Sequence, residues 1–145
     1  MLEGQIALVT GASRGIGAAI AQELGKQGAT VIGTATSASG ADNINASLLA
    51  AGIKGKGLAL DVNDATQIEA VLTQITAEFG AVSILVNNAG IIRRAPAIEF
   101  SEQDWDDVMN VNLKSVFFLS QAVAKQMIKQ KTGGKIINIA SMLSF

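Results

Sequence analysis

The sequence predicts a doubly wound α/β fold, a parallel sheet of about five strands covered by helices on both faces. Three observations carry that prediction. Short apolar runs alternate along the 145 residues with stretches of helical periodicity. Strands buried on both faces read as unbroken apolar runs, whereas crossover helices keep one polar side. The first run, residues 6–10, leads directly into Gly11-Ala-Ser-Arg-Gly15-Ile-Gly17 and then into a helical pattern. Finally, 49% hydrophobic residues and a net charge of -1 describe a chain with enough apolar surface for one core, and one domain over residues 1–145.

Each element has a local reason. Residues 6–10 (Ile-Ala-Leu-Val-Thr) form the first strand and residues 15–28 its helix. Residues 29–34 form a second strand, followed by a weaker helix over about 41–51 that Gly52 ends. Residues 57–61 are a third strand. Asp64 can cap a helix over 65–79, in which Ile68, Val71, Leu72, Ile75 and Phe79 follow 3.6 spacing. Residues 82–86 make a fourth strand that ends at Asn87-Asn88-Ala89-Gly90. Ser101 and Asp104 have capping-box spacing, with Asp for the usual Glu or Gln, and open a long helix to about Gln130. One side of it carries Trp105, Val108, Asn112, Val116, Leu119, Val123 and Met127. Gly133-Gly134 stop it, and residues 135–140 are a fifth strand.

Composition removes several function classes. The chain contains no Cys and no His, which excludes a disulfide framework, a thiolate metal site and the commonest general base, so no metal site is expected. The charge balance offers nothing to nucleic acid. There is no apolar run of membrane-spanning length, and Met1-Leu-Glu-Gly-Gln lacks the basic start of a signal peptide. The expectation is a cytoplasmic protein with no membrane partner.

A strand, a glycine turn and a helix start, in that order, suit a dinucleotide pyrophosphate. Glycines let the backbone turn sharply and approach the ligand, while first-turn N–H groups and the helix dipole favour its charge. The spacing is G-x-x-x-G-x-G, which differs from the general G-x-G-x-x-G fingerprint. Gly11, Ser13, Arg14, Gly15, Ile16 and Gly17 are therefore candidate cofactor residues, against a reading of the glycines as turn and helix-packing positions. The second strand ends Gly33-Thr-Ala-Thr-Ser37, with no acid to receive a free ribose 2′-hydroxyl. Arg14 and Thr36 can instead bind a 2′-phosphate, which favours NADP(H) and leaves NAD(H) open.

The glycine loop, Asn87-Asn88-Ala89-Gly90, Asn110-Val-Asn112-Leu-Lys114 and Ile137-Asn-Ile-Ala-Ser141 together resemble the short-chain dehydrogenase/reductase family across the whole chain. Within that family, residues 1–90 look most like 3-oxoacyl-(acyl-carrier-protein) reductases, through Leu8-Val-Thr-Gly-Ala-Ser-Arg-Gly-Ile-Gly17 and Gly33-Thr-Ala-Thr-Ser37. Residues 91–145 are more similar to sugar-acid dehydrogenases of the 2-deoxygluconate type, through Ile92-Arg-Arg94, Glu99-Phe-Ser, Asp104-Trp-Asp-Asp-Val-Met109 and Ala140-Ser-Met-Leu-Ser-Phe145. The two likenesses together suggest a mosaic, natural or engineered.

The resemblance implies a Rossmann-type sheet in the order 3-2-1-4-5 and a hydride transfer between a nicotinamide and a carbonyl or alcohol. It implies that Ser141 bonds the reacting oxygen and that Asn112 holds a water in a proton relay. It also implies that Asp61 and Val62 contact adenine, and that Asn88, Ala89 and Gly90 line the cofactor ribose and brace the sheet. The family's proton donor is a Tyr-x-x-x-Lys motif, and this chain contains no Tyr. The reading is therefore of an N-terminal portion, cut before that motif, which lacks the C-terminal part of the family fold and is inactive alone.

Three functions stay open: an NADP(H)-dependent 3-oxoacyl-(acyl-carrier-protein) reductase, a sugar-acid dehydrogenase, and a non-catalytic nucleotide-binding fragment or chimera. Arg93, Arg94, Lys125, Lys129, Lys131 and Lys135 read first as solvated charges. Docking of an acidic acyl-carrier protein is the sharper alternative, and the arginines suit a sugar-acid carboxylate. Ser144 is a weaker candidate than Ser141. The family pairs the long helix across a subunit interface, so a homo-oligomer is expected, with Val108, Val116, Leu119 and Val123 facing solvent in the chain alone.

Overall fold

A computed structural model of the chain describes residues 1–141. Ser144 and the end of the Ala140-Ser-Met-Leu-Ser-Phe145 likeness lie outside the described residues. In chain order the elements are β1 (Ile6–Val9), α1 (Gly15–Lys26), β2 (Thr30–Ala35), α2 (Ala38–Ala50), β3 (Gly55–Ala59), α3 (Ala65–Glu78) and β4 (Ile84–Asn87). A short 3-10 turn (Ala97–Glu99) precedes α4 (Glu102–Met109), a π turn (Asn110–Lys114), α5 (Ser115–Gln130) and β5 (Lys135–Asn138). The sheet runs β3-β2-β1-β4-β5 with every pair parallel, as the sequence predicts.

The period-two geometry of a strand sorts the core into two layers. Leu8, Ile32 and Leu85 point to one face, where Ile68, Val71, Leu72 and Ile75 of α3 and Leu119, Val123 and Met127 of α5 pack on them. Ala7, Val9, Val31 and Val86 point to the other, beneath Ala21 of α1 and Ile44 and Leu48 of α2. Because all strands run the same way, their carboxyl ends share one edge of the sheet, and the loops at that edge build the site.

Local signals set the boundaries. Asp64 accepts from the N–H groups of Thr66 and Gln67 and opens α3 where the sequence puts it. Ser37 accepts from Gly40 N at 3.1 Å, so α2 starts three residues before the expected 41. β3 lies two residues earlier than the expected 57–61, because Asp61 belongs to a turn in which Asp64 N donates to its carbonyl. The outer edge of β3 is partly closed by Asn45, whose Oδ1 accepts from Gly57 N at 2.8 Å.

The long helix departs from expectation in two ways. It is broken by the π turn, in which the Ser115 hydroxyl donates to Val111 O. Leu119 and Val123, expected to face solvent, are buried in the core, at 1% and 0% exposure, while Val108 and Val116 are half-buried. Ser115, Leu119, Val123 and Met127 make an i, i+4 stripe that α5 turns onto the sheet. The apolar surface left outside is a different set, including Trp105, Leu113, Phe117, Phe118 and Ile128. β5 is exposed along its whole length.

Two measurements test this packing. Leu119→Ala is expected to cost about 2–5 kcal/mol in urea unfolding, the range for emptying a core leucine site; a loss within about 0.5 kcal/mol, as at a solvent-facing position, would reject the burial. Asp64→Ala should cost about 1 kcal/mol through loss of the cap.

Candidate functional site

At the carboxyl end of β1 the chain leaves the sheet through buried Thr10 and turns at Gly11, whose φ is 62°. Only a residue without Cβ takes that conformation easily here: a Cβ on Gly11 would also stand 3.1 Å from Ala89 Cα and Asn88 Nδ2. Ala12 N donates to Thr34 O at 2.9 Å and draws the loop toward the end of β2. Gly15, with φ 60°, starts α1. Its first turn carries no acidic side chain to offset the positive end of the helix dipole.

Gly17 lies one turn into α1 and faces the loop. A Cβ there would run into the carbonyl of Gly11 and the side-chain amide of Asn88. The missing side chain lets the helix pack closely under the loop.

Asn88 joins the two central strands. Its Nδ2 donates to Thr10 O at 3.1 Å and to Gly11 O at 3.0 Å. In return Thr10 Oγ1 accepts from the backbone N–H of Asn88 at 3.1 Å and of Ala89 at 3.0 Å. These bonds fix the glycine loop against the segment that follows β4. From the sequence Thr10 reads only as the last residue of a strand. The signal was there, a hydroxyl closing an otherwise apolar run at the ligand-binding edge of a parallel sheet.

The loops enclose a cleft of about 420 Å³. Gly11, Ser13, Arg14 and Gly15 form one wall, Thr36 stands at the end of β2, and Asp61 and Val62 follow β3. Asn88, Ala89 and Gly90 complete it. Thr34, Ala35, Leu60, Ile91 and Val111 also line the cleft and are not among the expected site residues: Thr34 and Leu60 read as strand, Val111 as part of the long helix, and Ala35 and Ile91 are apolar residues that carry no chemical signal. Ile16 is 64% exposed and, like Gly17, is not among the lining residues.

Asp61 does two jobs: it lines the cleft, and its Oδ1 accepts from Asn63 N at 2.9 Å in a side-chain-closed turn. It is the one carboxylate among the lining residues. Among the described residues, no carboxylate pairs with Arg14.

Asn112 is not buried on an apolar helix face, as its spacing suggested, but exposed within the π turn. Its Oδ1 accepts from Ile91 N and its Nδ2 donates to Ile91 O, both at 2.9 Å. It thus grips the backbone of the cleft wall without lining the cleft itself. Ser141 stands past the end of β5, exposed, and also outside the lining.

Arg93 lies 3.6 Å from Asp104, which leaves Arg94 as the exposed arginine of that pair without an ion-pair partner among the described residues. Lys125, Lys129, Lys131 and Lys135 are all exposed. Among the described residues there is no group of His, Cys, Asp or Glu that could hold a metal, and no helix is long and apolar enough to cross a membrane.

A parallel sheet in this order, with a glycine turn after the first strand and a cleft over its carboxyl edge, defines a Rossmann-like α/β protein. More specifically, the chain belongs to the short chain dehydrogenase family, whose sequence pattern matches residues 5–145. It is 51% identical over 144 residues to a 2-dehydro-3-deoxy-D-gluconate 5-dehydrogenase of Dickeya dadantii, covering 99% of this chain and 56% of that protein. It is 55% identical over 142 residues to a 3-oxoacyl-(acyl-carrier-protein) reductase of Vibrio cholerae, covering 98% and 57%. A reductase of the same name from Escherichia coli matches at 55% over 141 residues, covering 97% and 56%. The chain thus spans little more than half the length of these curated relatives.

Thr10→Val keeps the side-chain shape and removes the acceptor shared by two backbone N–H groups. It should cost about 1–3 kcal/mol in urea unfolding, the range for orphaning a buried polar group; a neutral result would show that the Thr10–Asn88 link does not hold the loop.

Proposed function

We propose that residues 1–145 form a dinucleotide-binding domain whose cleft takes NADP(H) in preference to NAD(H), within an oxidoreductase acting on carbonyl substrates. The observation that carries this reading is the composition of the cleft, which joins Arg14 and Thr36 with no acid at the end of β2. A carboxylate there would accept bonds from a ribose 2′-hydroxyl and repel a 2′-phosphate. Arg14 and a threonine hydroxyl do the opposite. In this reading the pyrophosphate lies at Ser13, Gly15 and Ile16, where the first-turn N–H groups of α1 have no helical partner. Asp61 and Val62 take the adenine, and Asn88, Ala89 and Gly90 the ribose.

The bound cofactor would supply or accept the hydride. The chain's own part at the reacting centre is Ser141, whose hydroxyl donates to the substrate oxygen as negative charge develops. Asn112 uses one N–H and one lone pair on Ile91, which leaves one of each for a relay water. The composition holds no Tyr, His or Cys to act as the acid, so we assign these residues the cofactor half of the reaction and expect no turnover from them alone. The reading of a non-catalytic nucleotide-binding fragment or chimera rests on that same composition.

For the substrate, a 3-oxoacyl thioester is the leading reading, supported by the relatives of that name and by the exposed lysines at the end of α5, which suit an acidic acyl-carrier protein. A sugar acid is the second, favoured by Arg94, which is exposed and unpaired with any carboxylate among the described residues. The exposed Trp105, Leu113 and Phe117 support a homo-oligomer joined through α4 and α5. We keep a cytoplasmic location in this reading; no helix among the described residues is long and apolar enough to cross a membrane.

Equilibrium titration of the chain with NADPH and NADH tests the cofactor assignment. NADPH is expected to bind at least about tenfold more tightly, and Arg14→Ala should erase most or all of that preference, since a charged hydrogen bond contributes about 1.5–3 kcal/mol. Equal affinities would overturn the 2′-phosphate reading. NADPH oxidation in the presence of an acetoacetyl thioester or a keto-sugar acid should stay at background; turnover would exclude the non-catalytic module.

A further inference from the structure

Outside the cleft, one edge of the sheet is closed by a single side chain. β3 ends the strand order, so one side of it has no neighbouring strand among the described residues. Val31 N donates to Lys54 O and Leu60 N donates to Ala35 O, so the backbone of residues 54 and 60 faces β2. Alternation along a parallel strand then turns the N–H and C=O groups of Gly55, Gly57 and Ala59 outward. Asn45 of α2 engages both groups of the middle residue. Its Oδ1 accepts from Gly57 N at 2.8 Å, and its Nδ2 donates to Gly57 O at 3.5 Å.

The sequence prepares this contact. A Cβ on Gly57 would run into Ala41 O and stand 2.8 Å from Ile44 Cβ, so a glycine is what lets α2 lie this close over the strand. Asn45 comes one turn after Ala41 and directly after Ile44, which carries its side chain to the margin of the sheet. It is exposed, and asparagine is a poorer helix former than alanine, so neither burial nor helix propensity explains it there. An uncovered strand edge is a template for another strand, and a charged side chain is one common guard. Lys56, the charged residue of β3, is engaged instead with Glu78 of α3 at 3.2 Å.

We propose that Asn45 is a strand surrogate: its amide stands in for a neighbouring strand at Gly57 and keeps β3 from pairing with β3 of a second copy. This goes beyond the proposed function and is independent of cofactor and substrate. The geometry singles out a second copy as the partner excluded. In an antiparallel ladder, alternate residues face each other and exchange both backbone bonds. Gly57 offers both groups outward, so a two-fold axis beside it would set Gly57 against Gly57 and Gly55 against Ala59 in a closed, self-complementary pair. Asn45 makes the same two bonds at Gly57 within its own chain.

Sedimentation velocity and hydrogen exchange on the full chain test this, with Asn45→Ala, Ala59→Pro and the two combined. Asn45→Ala removes the amide at a position where alanine favours the helix. As concentration rises, this variant should shift to a species of twice the mass of the unmodified chain's own. At low concentration its Gly57 amide should exchange about tenfold faster than in the unmodified chain, and at high concentration the protection should return. Ala59→Pro withdraws an outward N–H and leaves the bonds to β2 in place. The combined variant should therefore lose the larger species and keep the fast Gly57 exchange at every concentration.

An Asn45→Ala chain that sediments like the unmodified one throughout would overturn the proposal. So would association that Ala59→Pro does not suppress, open-ended aggregates in place of a closed pair, or fast Gly57 exchange that concentration does not slow. If Asn45→Ala does not fold, Asn45→Ser, whose arm is too short to span both groups, is read by the same signals. Ala59→Lys, which sets a charge at the margin of the pair, replaces a proline variant that does not fold.

Discussion

The contact between the glycine loop and the end of β4 organises the molecule. Asn88 reaches over to two carbonyls at the end of β1, and Thr10 returns the favour to two N–H groups after β4. Gly17 lets α1 come close enough to lie beneath both, since a methyl group there would overlap Gly11 and Asn88. Strand β1, strand β4 and helix α1 converge on this joint, and the cleft is the space left above it. A loop with φ near 60° at both Gly11 and Gly15 would otherwise sample many shapes. Four hydrogen bonds and a tight backbone contact select one.

The same device recurs along the edge of the sheet. Asn112 grips Ile91 at both its N–H and its carbonyl, and Asn87 holds β5 and α5. Asparagine suits this work because it offers donor and acceptor on a short arm and carries no charge to desolvate. A row of amides can therefore lie beside the cleft without adding charge to it. An aspartate in any of these places would lose the donors and add a repelling charge.

Much of this could be read from the residues. Apolar runs gave the strands, and the turn after residues 6–10 marked the cleft, because strand burial and glycine spacing are local properties of the chain. Asp64 and Ser101 announced helix starts for the same reason, and Ser101 does accept from Asp104 N at 3.1 Å. The π turn was not legible. Asn110-Val-Asn112-Leu-Lys114 is compatible with an unbroken helix, and the extra residue in that turn matches a tertiary bond, Asn112 to Ile91, that no spacing reveals. The spacing does place Leu119, Val123 and Met127 on one side of the helix, which is the buried one; the expectation that Leu119 and Val123 face solvent comes from the family's pairing of this helix across a subunit interface, not from its phase. Thr10 is easily overlooked for a related reason: a polar residue at the end of an apolar strand looks like the strand simply stopping.

Electrostatics distinguish the two ends of the cleft. At the glycine loop, Arg14 lies beside a helix terminus whose first turn has no acid, so the local field favours an anion from two sources. Asp61 contributes the opposing charge, but its Oδ1 is already engaged by Asn63 N, and it sits after β3 rather than at the end of β2. Charge in the cleft is thus graded, positive near Gly11–Gly15 and negative near Asp61. A ligand with phosphates at one end and an uncharged, hydrogen-bonding ring at the other matches that gradient, whereas an evenly charged one does not. The alternation of strands and helices explains why such a gradient arises: each strand end adds one short loop to the rim, and each loop can carry its own sign.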